Sequence, residues 1–206
     1  MNVILTGFEP FDGETINPSW EAVSQSHPRK PMEILRIKLP TAFKKAPLDL
    51  LELLHRVKPD YLIMVGQAGN THSIQLERVA INIDDARIPD NLGQRPIDTP
   101  IVENAPLAYL STLPIKFLLD QLTMSHIPAM ISNSAGTFVC NHVFYRIMHE
   151  LSKSHLDTKA GFIHVPKSES QISDSLEPHM PLSTTKKGIE TILEALWHIH
   201  HSTEIM

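Results

Sequence analysis

The sequence predicts an α/β fold: a single three-layer α/β/α domain spanning residues 1–206, with a mixed, largely parallel central sheet. Three observations point to it. Short apolar, β-rich runs alternate with longer runs of helical period, the pattern of strands covered by helices. The run "YLIMVG" from Tyr61 is apolar almost throughout, as a strand buried on both faces should be. The 206 residues are 42% hydrophobic and 20% charged, with no repeat or linker to divide them, which suits one substantial core.

In chain order the expected elements begin with a strand at Val3–Thr6 and a helix at Ser19–Ser26. A strand at Glu33–Leu39, a helix at Ala42–Arg56 and the buried strand Tyr61–Val65 follow. The segment Ile74–Ile83, "IQLERVAINI", is extended but changes parity across Glu77-Arg78, so one flat strand cannot keep its apolar residues on one face. A bulge or a break into two strands resolves this, and such irregularities re-aim side chains beside active sites. Pro114 suits the first position of a helix at Ile115–Met124, which leads to a strand at Ala129–Ser132. Val143, Ile147 and Leu151, with Phe144 and Met148 beside them, give helical spacing to Asn141–Leu151. A strand at Gly161–Val165 and a helix at Thr184–His200, capped by Ser183 or Thr184, complete the chain. Two irregular segments remain. Ile88–Pro114, rich in Pro, Asp and Asn, is either functional or holds a hairpin. Lys167–Leu182 is a candidate lid or oligomer contact.

The bulk numbers exclude several classes. A formal net charge of −5 offers no basic face for nucleic acid. No apolar run reaches the roughly 18 residues of a membrane-spanning helix, and no signal-peptide pattern precedes the first strand, so a cytoplasmic location is expected. The single cysteine rules out an intramolecular disulfide and any cysteine-based zinc cage. No glycine-rich loop suited to cradling phosphate is present.

That cysteine lies in "SAGTFVCNHVFY", where Gly136 and Thr137 favour a tight strand-to-helix connection. Cys140 therefore falls near the first turn of a helix, whose free N–H groups and dipole favour a thiolate and an oxyanion. A nucleophilic cysteine needs a base, and twelve histidines are present. His142 faces away from Cys140 on the same helix, and His198, His200 and His201 sit at the end of the last one. His164 ends the strand of "GFIHVP", at the carboxyl edge of the sheet where sites form; Cys140 follows the carboxyl end of the preceding strand, so both should face one edge. Glu77, at its strand irregularity, is the candidate to orient the imidazole. The bland alternatives are a buried structural thiol, a hydrogen-bonded strand-end histidine and a surface glutamate.

With those residues in place the chain resembles the pyroglutamyl peptidase type I family of cytoplasmic cysteine peptidases. The resemblance is carried by "ILTGFEPFDGETINPSWEAV", "VGQAGNTHSIQLERVAINIDDARIPDN", "ISNSAGTFVCNHVFY" and "GFIHVP", in order along essentially the whole chain. It implies removal of an N-terminal pyroglutamyl residue from peptides, with Cys140 as nucleophile, His164 as base and Glu77 as its partner. It further implies Arg87 at the oxyanion and a ring pocket of Phe8, Phe11, Asn17, Gln67, Ile88, Phe138 and Val139. A phosphorylase/hydrolase-like fold, a homotetramer, and neither cofactor nor metal are implied as well. Two departures stand out: Asp12-Gly13 where the family often has Gly-Gly, and a polar "KSESQISD" after "HVP". A non-catalytic protein of the same fold that binds pyroglutamyl or similar small ligands is the alternative function.

Overall fold

The computed structural model describes residues 1–203, so the expected domain, 1–206, runs past the described residues. Its elements in chain order are β1 (Asn2–Phe8), α1 (Pro18–Gln25), β2 (Glu33–Leu39), α2 (Lys45–Val57) and β3 (Tyr61–Gln67). Next come β4 (Ile74–Glu77), β5 (Val79–Ile81), β6 (Ala108–Leu110), α3 (Ile115–Met124) and β7 (Ala129–Ser132). The chain continues through α4 (Val139–Lys153) and β8 (Lys159–Val165) to α5 (Leu182–Thr203).

Side-chain alternation along the strands creates the layers. In β3, Tyr61, Ile63 and Val65 enter one core with α1, α3 and α5, whereas Leu62 and Met64 enter a second core with α2 and α4. Strand β8 repeats the split, with Ile163 and Val165 on the first side and Ala160 and Phe162 on the second. Both faces of the sheet are thus covered, as "YLIMVG" predicts.

Six strands pair in the order β2-β1-β3-β8-β4-β7. Strands β2, β1, β3 and β8 are mutually parallel. Strand β4 runs antiparallel to β8 and parallel to β7, so the sheet is mixed and largely parallel, as expected. The direction of β7 corrects one step of the sequence argument. Its carboxyl end lies opposite to that of β8, so Cys140 and His164 do not meet as two ends of parallel strands.

The parity change at Glu77-Arg78 is a break between strands. Residues Ile74 and Leu76 of β4 face the α1–α3–α5 core, while β5 leaves the main sheet and pairs antiparallel with β6. Strand β6 is the hairpin partner inside the irregular segment 88–114. It exposes Leu110, and Leu107 just before it is exposed too.

Four helix starts differ from the sequence reading, and the ends of the same helices differ by one to three residues. Helix α1 starts at Pro18, one residue early, because Asn17 caps it by accepting from Ser19 N. Helix α2 starts at Lys45 instead of Ala42, because Phe43 N donates to Asp90 Oδ2 across the fold. Helix α4 starts two residues early, at Val139. Helix α5 begins at Leu182, before both expected caps, and the Pro181 carbonyl accepts from Thr184 N and Thr185 N. Pro114 is the cap residue of α3, not its first helical residue. Among the described residues no helix is long and apolar enough to cross a membrane.

Candidate active site

The polar groups of the site share one face of the sheet because of strand parity. Gln75 and Glu77 alternate with the core residues Ile74 and Leu76, and His164 alternates with Ile163 and Val165. Glu77 and His164 therefore both point toward α4, from adjacent antiparallel strands. His164 Nδ1 donates to Glu77 Oε1 at 2.8 Å. The carboxylate accepts only, which fixes this tautomer and turns Nε2 toward Cys140. Both side chains are buried, Glu77 completely, and its Oε2 has no hydrogen-bond partner among the described residues.

Cys140 reaches the pair from above the sheet. Left-handed Gly136 (φ 75°) turns the chain after β7. Thr137 then anchors it, donating from Oγ1 to the Asp85 carbonyl at 2.8 Å while accepting from Asp85 N at 3.0 Å. Asn141, fully buried, clamps the helix start: its Oδ1 accepts from Ile81 N, and its Nδ2 donates to the Ile81 and Ile83 carbonyls. Below Cys140 strand β3 presents Gly66, which has no side chain. A Cβ on Gly66 would stand 2.8 Å from both Cys140 Sγ and Phe162 Cζ, so only glycine admits the sulfur here. Gly66 is directly in register with His164. Nucleophile and histidine meet across β3 and β8, because the start of α4 lies over Gly66.

Helix α4 begins with no side-chain cap at Phe138, which leaves N–H groups of its first turn for a ligand. The electrostatics of His164 follow from its surroundings. Burial alone lowers its pKa, but the charge and side-chain hydrogen bond of Cys140, then the hydrogen bond and charge of Glu77, outweigh that and raise it to about 10. The imidazole is therefore a cation at neutral pH, held between a carboxylate and the cysteine sulfur.

A cleft of about 380 Å³ opens beside the sulfur, the size of a small-ligand site. Of the ring-pocket residues expected from resemblance, Phe8, Phe11, Asn17, Gln67 and Phe138 line it. Phe11 and Phe138 are 6.1 Å apart between ring centroids and form two of its walls. Asn17 is also the α1 cap and donates to the Glu9 carbonyl. Gln67 Oε1 accepts from Gln171 Nε2 at 3.1 Å, so the 167–182 segment closes one side. The side chains of the other three expected residues lie elsewhere. Val139 is fully buried in the core, Ile88 is half-buried outside the lining, and exposed Arg87 sits 3.5 Å from Asp12 Oδ2. Asp12 itself is left-handed (φ 55°), followed by Gly13 (φ 78°), a backbone that accounts for glycine being favoured there.

Sequence reasoning missed Gly66, Gln75 and Asn141. A glycine inside the apolar run "YLIMVG" is the signal for close backbone approach that could have located the first. Gln75 faces His164 across the β4–β8 pair and lines the cleft. No residue lining this cleft carries a carboxylate.

Known proteins resemble this chain in both sequence and overall fold. The family model described as pyroglutamyl peptidase matches residues 1–198. A pyrrolidone-carboxylate peptidase of Bacillus cereus (strain Q1) is 49% identical over 195 residues, covering 93% of this chain and 91% of the relative. The pyrrolidone-carboxylate peptidase of Brachyspira hyodysenteriae is 49% identical over 196 residues, covering 94% and 98%. The crystal structure of pyroglutamyl peptidase I from Bacillus amyloliquefaciens superposes with a TM-score of 0.90 at 42% identity, covering 94% of this chain and 93% of that one. The pyrrolidone carboxyl peptidase of Thermococcus litoralis gives 0.90 at 37% identity, covering 98% and 96%. With its sequence matched from first strand to last helix and its fold shared with solved members, the chain belongs to the pyroglutamyl peptidase family.

Proposed function

We propose that the protein is a cysteine exopeptidase that removes the N-terminal pyroglutamyl residue of peptides through a thioester on Cys140. The observation that carries this reading is the buried Glu77–His164 pair presented to Cys140 at the uncapped start of α4. His164 takes the proton of the thiol, and the sulfur attacks the pyroglutamyl carbonyl carbon. First-turn N–H groups receive the developing oxyanion. The scissile C–N bond breaks as His164 Nε2 gives its proton to the leaving amine. Water, deprotonated by His164, then cleaves the thioester and releases pyroglutamate and the thiol.

The cleft suits a neutral lactam. Phenylalanine rings flank the flat ring, and the amides of Gln67, Asn70 and Gln75 and the hydroxyls of Thr41, Ser132 and Ser134 are among the polar groups of the lining. An ordinary peptide N-terminus brings an ammonium, and the lining offers it no carboxylate while His164 repels it. Hydrolysis of pyroglutamyl-aminomethylcoumarin tests the proposal directly. Activity should appear without added metal or cofactor and vanish on alkylation of a single thiol by iodoacetamide. Absence of turnover by the untreated, folded protein would sink it.

Arg87 at the oxyanion is part of the proposal and requires the guanidinium to leave its solvent-exposed pair with Asp12. Arg87→Ala should then lower kcat by about 10²-fold with KM little changed. An unchanged kcat removes Arg87 from the mechanism. Gly66→Ala forces a methyl against the sulfur. It should cost about 10²-fold in kcat/KM through misplacement of the nucleophile, read beside a circular dichroism spectrum that reports the fold. A cytoplasmic location and tetrameric assembly also belong to the proposal, supported by the resemblance and by exposed Leu107 and Leu110. Cell fractionation and light scattering of the purified chain test them.

A further inference from the structure

Beyond the catalytic cleft, a second and larger one of about 640 Å³ borders the same helix. Two residues along an α-helix correspond to a rotation of about 200°. His142 therefore projects away from Cys140, and it lines this second cleft. The ring of Phe43 lies between the two clefts, edge-on to both Phe138 and His142.

The walls of the second cleft combine three properties. Phe43, Pro47, Leu48 and Ile101 supply apolar surface. Lys44, Arg95 and Arg146 supply three cations, against Asp84 as the one carboxylate of the lining. Neither Lys44 nor Arg146 forms a side-chain hydrogen bond or ion pair among the described residues, and Arg95 commits only Nε, to the Ala86 carbonyl. Asp84 is 5% exposed. Its Oδ2 accepts from His142 Nδ1 at 2.7 Å, while Oδ1 is buried with no donor among the described residues. A buried carboxylate oxygen left unpaired is costly. It calls for a donor from a ligand, and a charged donor serves it best.

We propose that this cleft binds a short peptide with free termini. Its α-ammonium would meet Asp84 Oδ1 as the Asp84 carboxylate turns from its buried position into the cleft. Its own carboxylate would meet Arg95 and Arg146, and its apolar side chains would rest against Phe43 and Leu48. Two guanidinium groups suit a planar carboxylate, and the cavity has room for two or three residues. Inorganic phosphate satisfies the cations, but its net negative charge is repelled by Asp84 and its hydroxyl is a neutral donor, weaker than an ammonium. The proposal rests on the peptidase reading in one respect: the peptide freed by that reaction is a zwitterion of this kind.

The test is calorimetric titration of the full chain carrying Cys140→Ser, so that binding is read without turnover. The probe is alanyl-phenylalanine, with and without pyroglutamate at saturation to fill the catalytic cleft. One binding site is expected, unchanged by pyroglutamate. N-acetyl-alanyl-phenylalanine and alanyl-phenylalanine amide should each bind about tenfold more weakly or worse, as should the dipeptide to an added Arg146→Ala. Asp84→Asn, which keeps an acceptor for His142, should weaken the dipeptide but not its acetylated form. Thermal unfolding of each variant reports that it is folded. Four results overturn the proposal: no binding, loss of binding in pyroglutamate, indifference to Arg146→Ala, or phosphate displacing acetylated and free dipeptide alike. Dipeptide binding as described in a protein whose wild type does not cleave pyroglutamyl-aminomethylcoumarin would remove only the peptidase reading. Turnover without dipeptide binding would remove only this one.

Discussion

Cys140→Ala is expected to abolish hydrolysis of pyroglutamyl-aminomethylcoumarin, lowering kcat by about 10⁴-fold or more. Cys140→Ser should fare little better, and the reason lies in His164. In the native site the histidine is a cation partly because the cysteine sulfur stands beside it. A thiol gives up its proton to a base far more readily than a serine hydroxyl does, so the serine variant brings a much poorer nucleophile to the same histidine. The serine variant should also lower the His164 pKa, since two of the influences that raise it come from Cys140. Histidine ring NMR of wild type and variant measures that shift, and a His164 pKa unchanged by Cys140→Ser would refute the ion-pair description. Because Cys140 is the only cysteine in the chain, mass spectrometry after iodoacetamide should show one adduct in wild type and none in either variant.

Which parts of this site were legible in the sequence depended on the range of the signal. Strand β3 and helix α4 were legible because burial on two faces and a four-residue apolar spacing are local patterns. The irregularity at Glu77 was legible for the same reason: parity along "IQLERVAINI" cannot be kept in one flat strand. Its outcome, with Val79–Ile81 pairing to Ala108–Leu110, was not, because a three-residue strand within a Pro-rich segment carries no period to detect. The start of α2 was misplaced because the competing partner of Phe43 N, Asp90, lies 47 positions away. Direction was the least legible property of all. Nothing local in "AMIS" shows that β7 opposes β8, so the expectation that Cys140 and His164 meet reached the right pairing by the wrong route. The route the fold takes goes over Gly66, and the space that glycine leaves becomes evident only when β3 and α4 are brought together.

Glu77→Gln separates the two things a carboxylate does for His164, which are to orient it and to balance its charge. The glutamine has nearly the same shape, but its amide can present either an acceptor or a donor to Nδ1. With the charge gone, the neutral tautomer carrying its proton on Nε2 becomes available, and that tautomer cannot take the thiol proton. A loss of about 10³–10⁴-fold in kcat/KM is expected. The sign of the pH effect follows from linkage. The His164 pKa is raised from 6.5 to about 10 in the folded protein. The stability this contributes is complete below about pH 6.5 and disappears as the pH climbs through about 10. Removing the Glu77 charge lowers the folded pKa, so the residual activity should lose its alkaline limb at lower pH, by about one unit or more. Urea midpoints tell the same story: wild type should weaken steadily between about pH 7 and pH 10, and Glu77→Gln should show a shallower slope there. A wild-type midpoint flat across that range, with an alkaline limb indifferent to the substitution, would mean that His164 is neutral in the resting protein. The proton would then have to leave Cys140 during the attack instead of before it.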